Sequence, residues 1–358
     1  MESKIPLHYI NTFRAAAIVF IVAVHALHVF SWPDGDLTKQ FLDILLNNGS
    51  LFFIFISGYL FQHLSTDFKP SKYYVSKFKN VVLPYLVIST PAVIFFVFVS
   101  QKTFLSPDFY QLPIWQQIAN FYAFGYHLSP MWFLPVIITY YLLGPLLAKV
   151  DKTRFFYYTL PVFFILSFFV PRGLLHNNIL HFFSIYMLGM FCSNQKILIN
   201  NFLKKNVVLL VLLILVWAML IFEYFINIKI ANVNFFQKII FTILLLSVFI
   251  KFESIFQNKI INTLAETSFG VFFIHSYVLG FFKFLSKQIS YAQYLDLPRV
   301  SGTLFLHSIT TVLVIFISVS VVLLINKILK GNAFWLIGST SKLKTGVING
   351  WSYAHKLS

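Results

Sequence analysis

The sequence predicts an all-α, polytopic membrane protein with about ten transmembrane helices enclosing a polar cavity. Three observations carry this expectation. Charged residues make up 11% of the 358 and hydrophobic ones 58%, whereas a soluble domain averages roughly 25% charged; too few charges remain to cover a surface facing water. The apolar residues fall in solid runs of roughly 20, the length that crosses about 30 Å of hydrocarbon as a helix. They do not alternate as the strands of a membrane barrel would. The basic residues sit in short connectors between the runs, so the formal net charge of +16 speaks for orientation in a membrane and against a nucleic-acid partner.

The runs lie at 9–30, 43–63, 81–100, 131–149, 155–171, 178–194, 206–226, 235–252, 268–287 and 302–328. The first is followed by Ser31-Trp32-Pro33-Asp34 and not by a small-residue cleavage site, so it is expected to stay as the first helix. The fifth and sixth are the shortest. The longest connectors, 101–130 and 288–301, are too small for a soluble domain. Segment 101–130 is aromatic, with Tyr110, Trp115, Tyr122, Tyr126 and His127, and reads as a re-entrant or interfacial stretch over the outer mouth. Residues 1–330 thus form one transmembrane domain and 331–358 a cytoplasmic tail. The single cysteine, Cys192, lies in an apolar run and reads as a packing residue.

Counting Lys and Arg in alternate connectors gives 18 on the side of both termini and 8 on the other, with Arg14 inside the first span. The bias places both termini in the cytoplasm. Lys69 to Lys79 read as contacts to anionic inner-leaflet lipids, with a share of phosphate binding as the alternative. His176 and His181 read as surface residues on the outer side.

Arg14 and His25 are 11 residues apart. At 100° per residue they are about 20° from sharing one azimuth, separated by roughly 16 Å along the axis. An ionisable group inside a span costs roughly 2.5 kcal/mol or more and is a functional hypothesis by default. Snorkelling explains Arg14 alone and an interhelical hydrogen bond explains His25 alone, but two on one stripe point to a polar cavity along this helix. His28 lies on the same side, as a supporting partner or an interfacial residue. Ser268 and His275, seven apart, form a second polar stripe on the ninth span. Glu266 beside it suits helix capping or, less simply, catalysis. Ser57-Gly58 reads as close helix packing. There is no phosphate-cradling glycine loop, dinucleotide fingerprint or metal-ligand set, so no metal and no bound cofactor are expected.

Five segments, in order, resemble the membrane acyltransferase-3 family. They are Arg14 with His25; Phe52-Phe53-Ile54-Phe55-Ile56-Ser57-Gly58-Tyr59; a basic stretch leading into Leu83-Pro84-Tyr85; Met131-Trp132-Phe133-Leu134; and Ser268-Phe269-Gly270-Val271-Phe272-Phe273-Ile274-His275. Positions 269 and 272 carry Phe where the family commonly has Tyr. The resemblance implies transfer of an acyl group, usually acetyl from cytosolic acetyl-CoA, to a hydroxyl of an extracytoplasmic or lipid-linked glycan at a bacterial inner (plasma) membrane. It implies His25 as catalytic base or transient acyl carrier and Arg14 on the CoA side. Ser57, Trp132, Ser268, His275 and His28 are the candidate substrate-binding residues. A transporter or flippase of a glycan or lipid-linked sugar is the alternative. Against it stand the lack of paired, interrupted helices in two matching halves and of an intramembrane carboxylate suited to ion coupling.

Overall fold

In hydrocarbon every backbone amide must be satisfied within its own segment, and the computed structural model of the chain is accordingly helical. It describes residues 7–153, 155–226, 231–292 and 299–338. The helices are α1 (His8–Ala26), α2 (Leu37–Leu46), α3 (Ser50–Leu64), α4 (Pro70–Lys77), α5 (Leu83–Phe98) and α6 (Pro107–Gln111). They continue as α7 (Ile114–Phe124), α8 (Phe133–Leu142), α9 (Gly144–Val150), α10 (Leu160–Phe169), α11 (Leu175–Asn194) and α12 (Lys196–Leu203). The last are α13 (Asn206–Ile226), α14 (Ala231–Lys251), α15 (Glu253–Phe256), α16 (Lys259–Ala292), α17 (Leu304–Leu329) and α18 (Phe334–Ile337).

Among the described residues, seven stretches are long and apolar enough to cross a membrane, and nine if each bent pair is counted as one span. One bent pair joins Ile114–Phe124 to Ser129–Leu142 at 75°, and the other joins Leu175–Asn194 to Lys196–Leu203 at 92°. Phe156–Phe169 is apolar but short, and occupies the place expected of the fifth run. Each of the ten runs is therefore helical, and the aromatic segment 101–130 supplies α6 and the tilted α7.

α1 is apolar around most of its circumference apart from the Arg14–His25 stripe, and such a helix is stable only when surrounded. It packs against α2, α3, α14, α16 and α17, and Phe13, Ala17, Ile18, Val22 and Ala26 are fully buried. α13 is the opposite case: 11% of its apolar window is buried, against 61% for α1, which places it at the lipid-facing rim. The closest crossing is α3 on α11. A Cβ at Gly58 would overlap the carbonyl of Tyr186, and one at Gly189 would overlap the carbonyl of Phe55. Gly58 therefore serves backbone-to-backbone packing.

α18 lies in the stretch assigned to the tail, yet it packs on α5, α16 and a π-helical turn at Phe78–Val82. Residues 339–358 lie outside the described residues, as do Lys4, Arg154 and Lys229 of the charge count.

Candidate active site

The two polar stripes meet. α1 and α16 run side by side in the same direction, with Arg14 opposite Ser268 and His25 opposite His275. Arg14 Nη2 donates to Ser268 Oγ at 3.3 Å. Ser268 Oγ itself donates to the Ala265 carbonyl at 2.8 Å, so its lone pairs are turned to the guanidinium. At the other end the rings of His25 and His275 lie 5.6 Å apart with planes at 32°. The stripes rise by about 16 Å on α1 and about 10 Å on α16; the long arginine side chain takes up the difference.

The two helices contribute unequally. Ser268 and His275 are fully buried, whereas Arg14 and His25 are partly exposed. α1 thus carries the more accessible pair and α16 the fully buried one. His275 Nδ1 lies 3.0 Å from the Val271 carbonyl. A carbonyl only accepts, so Nδ1 carries the proton and the neutral ring keeps its lone pair on Nε2. That nitrogen is buried and has no hydrogen-bond partner among the described residues. Glu266 is within electrostatic reach of Arg14. His28 is exposed just past the end of α1, in the field of Asp43, Lys283, Lys39 and Arg299.

The remaining candidates sit elsewhere. Trp132 stacks on Phe182 at 5.4 Å and reaches the histidine pair only through rings. Those are Phe133 at 6.5 Å, Phe272 at 5.4 Å from Phe133, and His275 at 6.0 Å from Phe272. Ser57 pairs with Tyr141. Lys77 does not face lipid as expected: it is 4% exposed, with its ammonium 4.1 Å from the Tyr141 ring centre and 5.2 Å from Tyr73.

A second polar cluster was not anticipated. Asn48, in the break between α2 and α3, donates to Asn234 Oδ1 at 2.7 Å and accepts from Arg172. Asn234 Nδ2 donates to Glu223 Oε2 at 2.9 Å and to the Ile44 carbonyl at 3.1 Å. Lys238 Nζ donates to the same carbonyl at 2.8 Å. The orphan carbonyl at the end of α2 is thus met by a cation, which also suits the negative end of the helix dipole. Lys238 was counted among the connectors, yet it lies within α14 and is fully buried. His181, read as a surface residue, is 2% exposed and donates from Nδ1 to the Val170 carbonyl at 2.9 Å. Glu223 is an intramembrane carboxylate of the kind the sequence argument against a transporter took to be lacking. A glutamate inside an apolar run and a lysine four residues into another were the available signals. Among the described residues no three His, Cys, Asp or Glu side chains gather as a metal site.

Residues 7–327 match the sequence model of a family described as an acyltransferase domain, family 3 of the acyltransferases. No curated protein and no solved structure gives a significant match.

Proposed function

We propose that this chain, which belongs to acyltransferase family 3 and is a membrane acyltransferase, moves an acetyl group from acetyl-CoA to a hydroxyl of an extracytoplasmic or lipid-linked glycan. One observation carries the reading: a partly open imidazole and guanidinium on α1, each backed by a buried polar group of α16. Arg14 and His25 stand about 16 Å apart along the helix, too far to act on one carbonyl. Their roles therefore divide.

Arg14, with N–H groups beyond the one given to Ser268, binds the phosphorylated part of the donor. The acyl thioester then extends along α1 to His25. His25 takes the proton of the acceptor hydroxyl as its oxygen attacks the thioester carbonyl. The tetrahedral intermediate collapses with loss of the CoA thiolate, which receives that proton from the imidazolium. If His25 instead carries the acyl group, the same bonds break in two steps, with the label passing through the protein. Arg14 lies at the cytoplasmic end and His25 nearer the outer face in the topology set by the charge bias. No metal and no bound cofactor take part.

The test is purified protein with carbonyl-labelled acetyl-CoA and a glycan acceptor. Label should appear in the glycan as an ester, and His25→Ala should stop it. Near wild-type transfer by that variant defeats the assignment. CoA-independent movement of a glycan across vesicles, without ester formation, would favour the transporter.

A further inference from the structure

Two helices begin at one place at the His25 end of the bundle: α3 just after Asn48 and α11 just after Arg172. Helix starts present unsatisfied amides and the positive end of the dipole. Arg172 lies where they converge. Its guanidinium is 5.1 Å from the Trp132 ring centre and 5.2 Å from that of Phe182. One N–H donates to Asn48, while Nε is buried without a hydrogen-bond partner among the described residues. Burial pushes its pKa down to about 10, so the group stays cationic at neutral pH.

His181 is within electrostatic reach of Arg172. Its Nδ1 proton goes to the Val170 carbonyl, and its Nε2 is also buried and unpartnered among the described residues. A cation with an unused N–H meets two positive helix ends. That combination selects an anion.

An apolar groove of about 600 Å³ runs along α10, from Tyr157 at one end to Phe168 and Phe169 at the other, with Phe191 and Phe236 opposite. Its far end adjoins the cationic site: Phe169 is three residues before Arg172, and Phe235, beside Phe236, packs 4.3 Å from His181. The lining carries no charged side chain and is dominated by rings, whose faces suit a branched, unsaturated chain.

We propose that Arg172 binds the phosphate of an isoprenoid lipid phosphate whose hydrocarbon chain lies in the groove along α10. From there the ring series Trp132, Phe133, Phe272 leads to His275, so a sugar carried on that phosphate extends toward His25. This step deepens the proposed function and rests on it for the identity of the acceptor; the binding does not depend on acyl transfer.

The test measures equilibrium binding of labelled farnesyl phosphate to the full chain in a maltoside detergent without acyl-CoA. The wild type should bind it at least about tenfold more tightly than farnesol or inorganic phosphate. Arg172→Gln should lose about tenfold, the loss of one charge-assisted contact, and Arg172→Lys should restore part of it. Phe169→Ser, at a residue 73% exposed, should weaken farnesyl phosphate with the fold intact, which guards against misfolding of the Arg172 variants. Equal binding of farnesol, unchanged binding by both Arg172→Gln and Phe169→Ser, or tighter binding of a glucuronide would overturn the proposal. Effective competition by phosphatidic acid would also overturn it, by marking an ordinary phospholipid site. Failure here with His25-dependent transfer to a soluble glycan retained would leave the acyltransferase mechanism standing.

Discussion

The polar side chains around Asn48 and those along the α1–α16 seam differ in what they leave unfinished. Around Asn48 the groups mostly answer one another: Asn234 and Lys238 share the carbonyl that ends α2, and Glu223 accepts from Asn234. Along the α1–α16 seam the buried members are held by backbone carbonyls, and the partly exposed members, Arg14 and His25, retain unused hydrogen-bonding capacity. Asn234 and Lys238 heal a broken helix. Arg14 and His25 are, in the proposed function, prepared for something that is not protein. Polarity in a span is thus a weak guide until its partners are known, because a helix break explains a buried lysine as readily as chemistry does.

The contrast can be broken by substitution. His25→Ala should lower acetyl transfer by at least about 100-fold, the scale of a lost general base, with little change in thermal midpoint. A large loss of stability instead would make His25 a structural residue. Lys238→Met should do the reverse. Removing one member of a buried charged network costs about 3 kcal/mol, so the unfolding midpoint should drop while kcat/KM per folded molecule is kept. Lost activity at full stability would move the site to the Asn48 cluster.

Smaller effects sharpen the division of labour along α1. Arg14→Gln should raise KM for acetyl-CoA by about tenfold, the worth of a hydrogen bond to a charged group, and leave KM for the acceptor unchanged. Steady-state kinetics with each substrate varied in turn would read it, and an equal effect on both substrates would deny Arg14 its donor-side place. His28→Gln, at an exposed position, should change both constants by less than about twofold, as surface substitutions usually do. A loss comparable to that of His25→Ala would draw His28 into the chemistry.

The ten helical stretches were legible because length and solid hydrophobicity leave a lipid-embedded chain few alternatives. The Arg14–His25 and Ser268–His275 stripes were legible too, from helical spacing alone. Their meeting was not, since α1 and α16 are about 250 residues apart in sequence and periodicity carries no information on which faces pair. Charges near helix ends misled. Lys238, Lys77 and His181 lie where a connector or headgroup contact is the simplest reading, and each is turned inward by a partner on another segment: the Ile44 carbonyl, the Tyr141 ring and the Val170 carbonyl. The Gly58 crossing, by contrast, was legible as close helix packing, and the fit against Tyr186 bears that reading out.

That crossing has a mechanical consequence. With backbone resting on backbone, no layer of pliable side chains separates α3 from α11, so the pair travels as a single plank. Any widening that admits a bulky sugar to His25 then leaves that crossing shut and is taken up by other helix pairs.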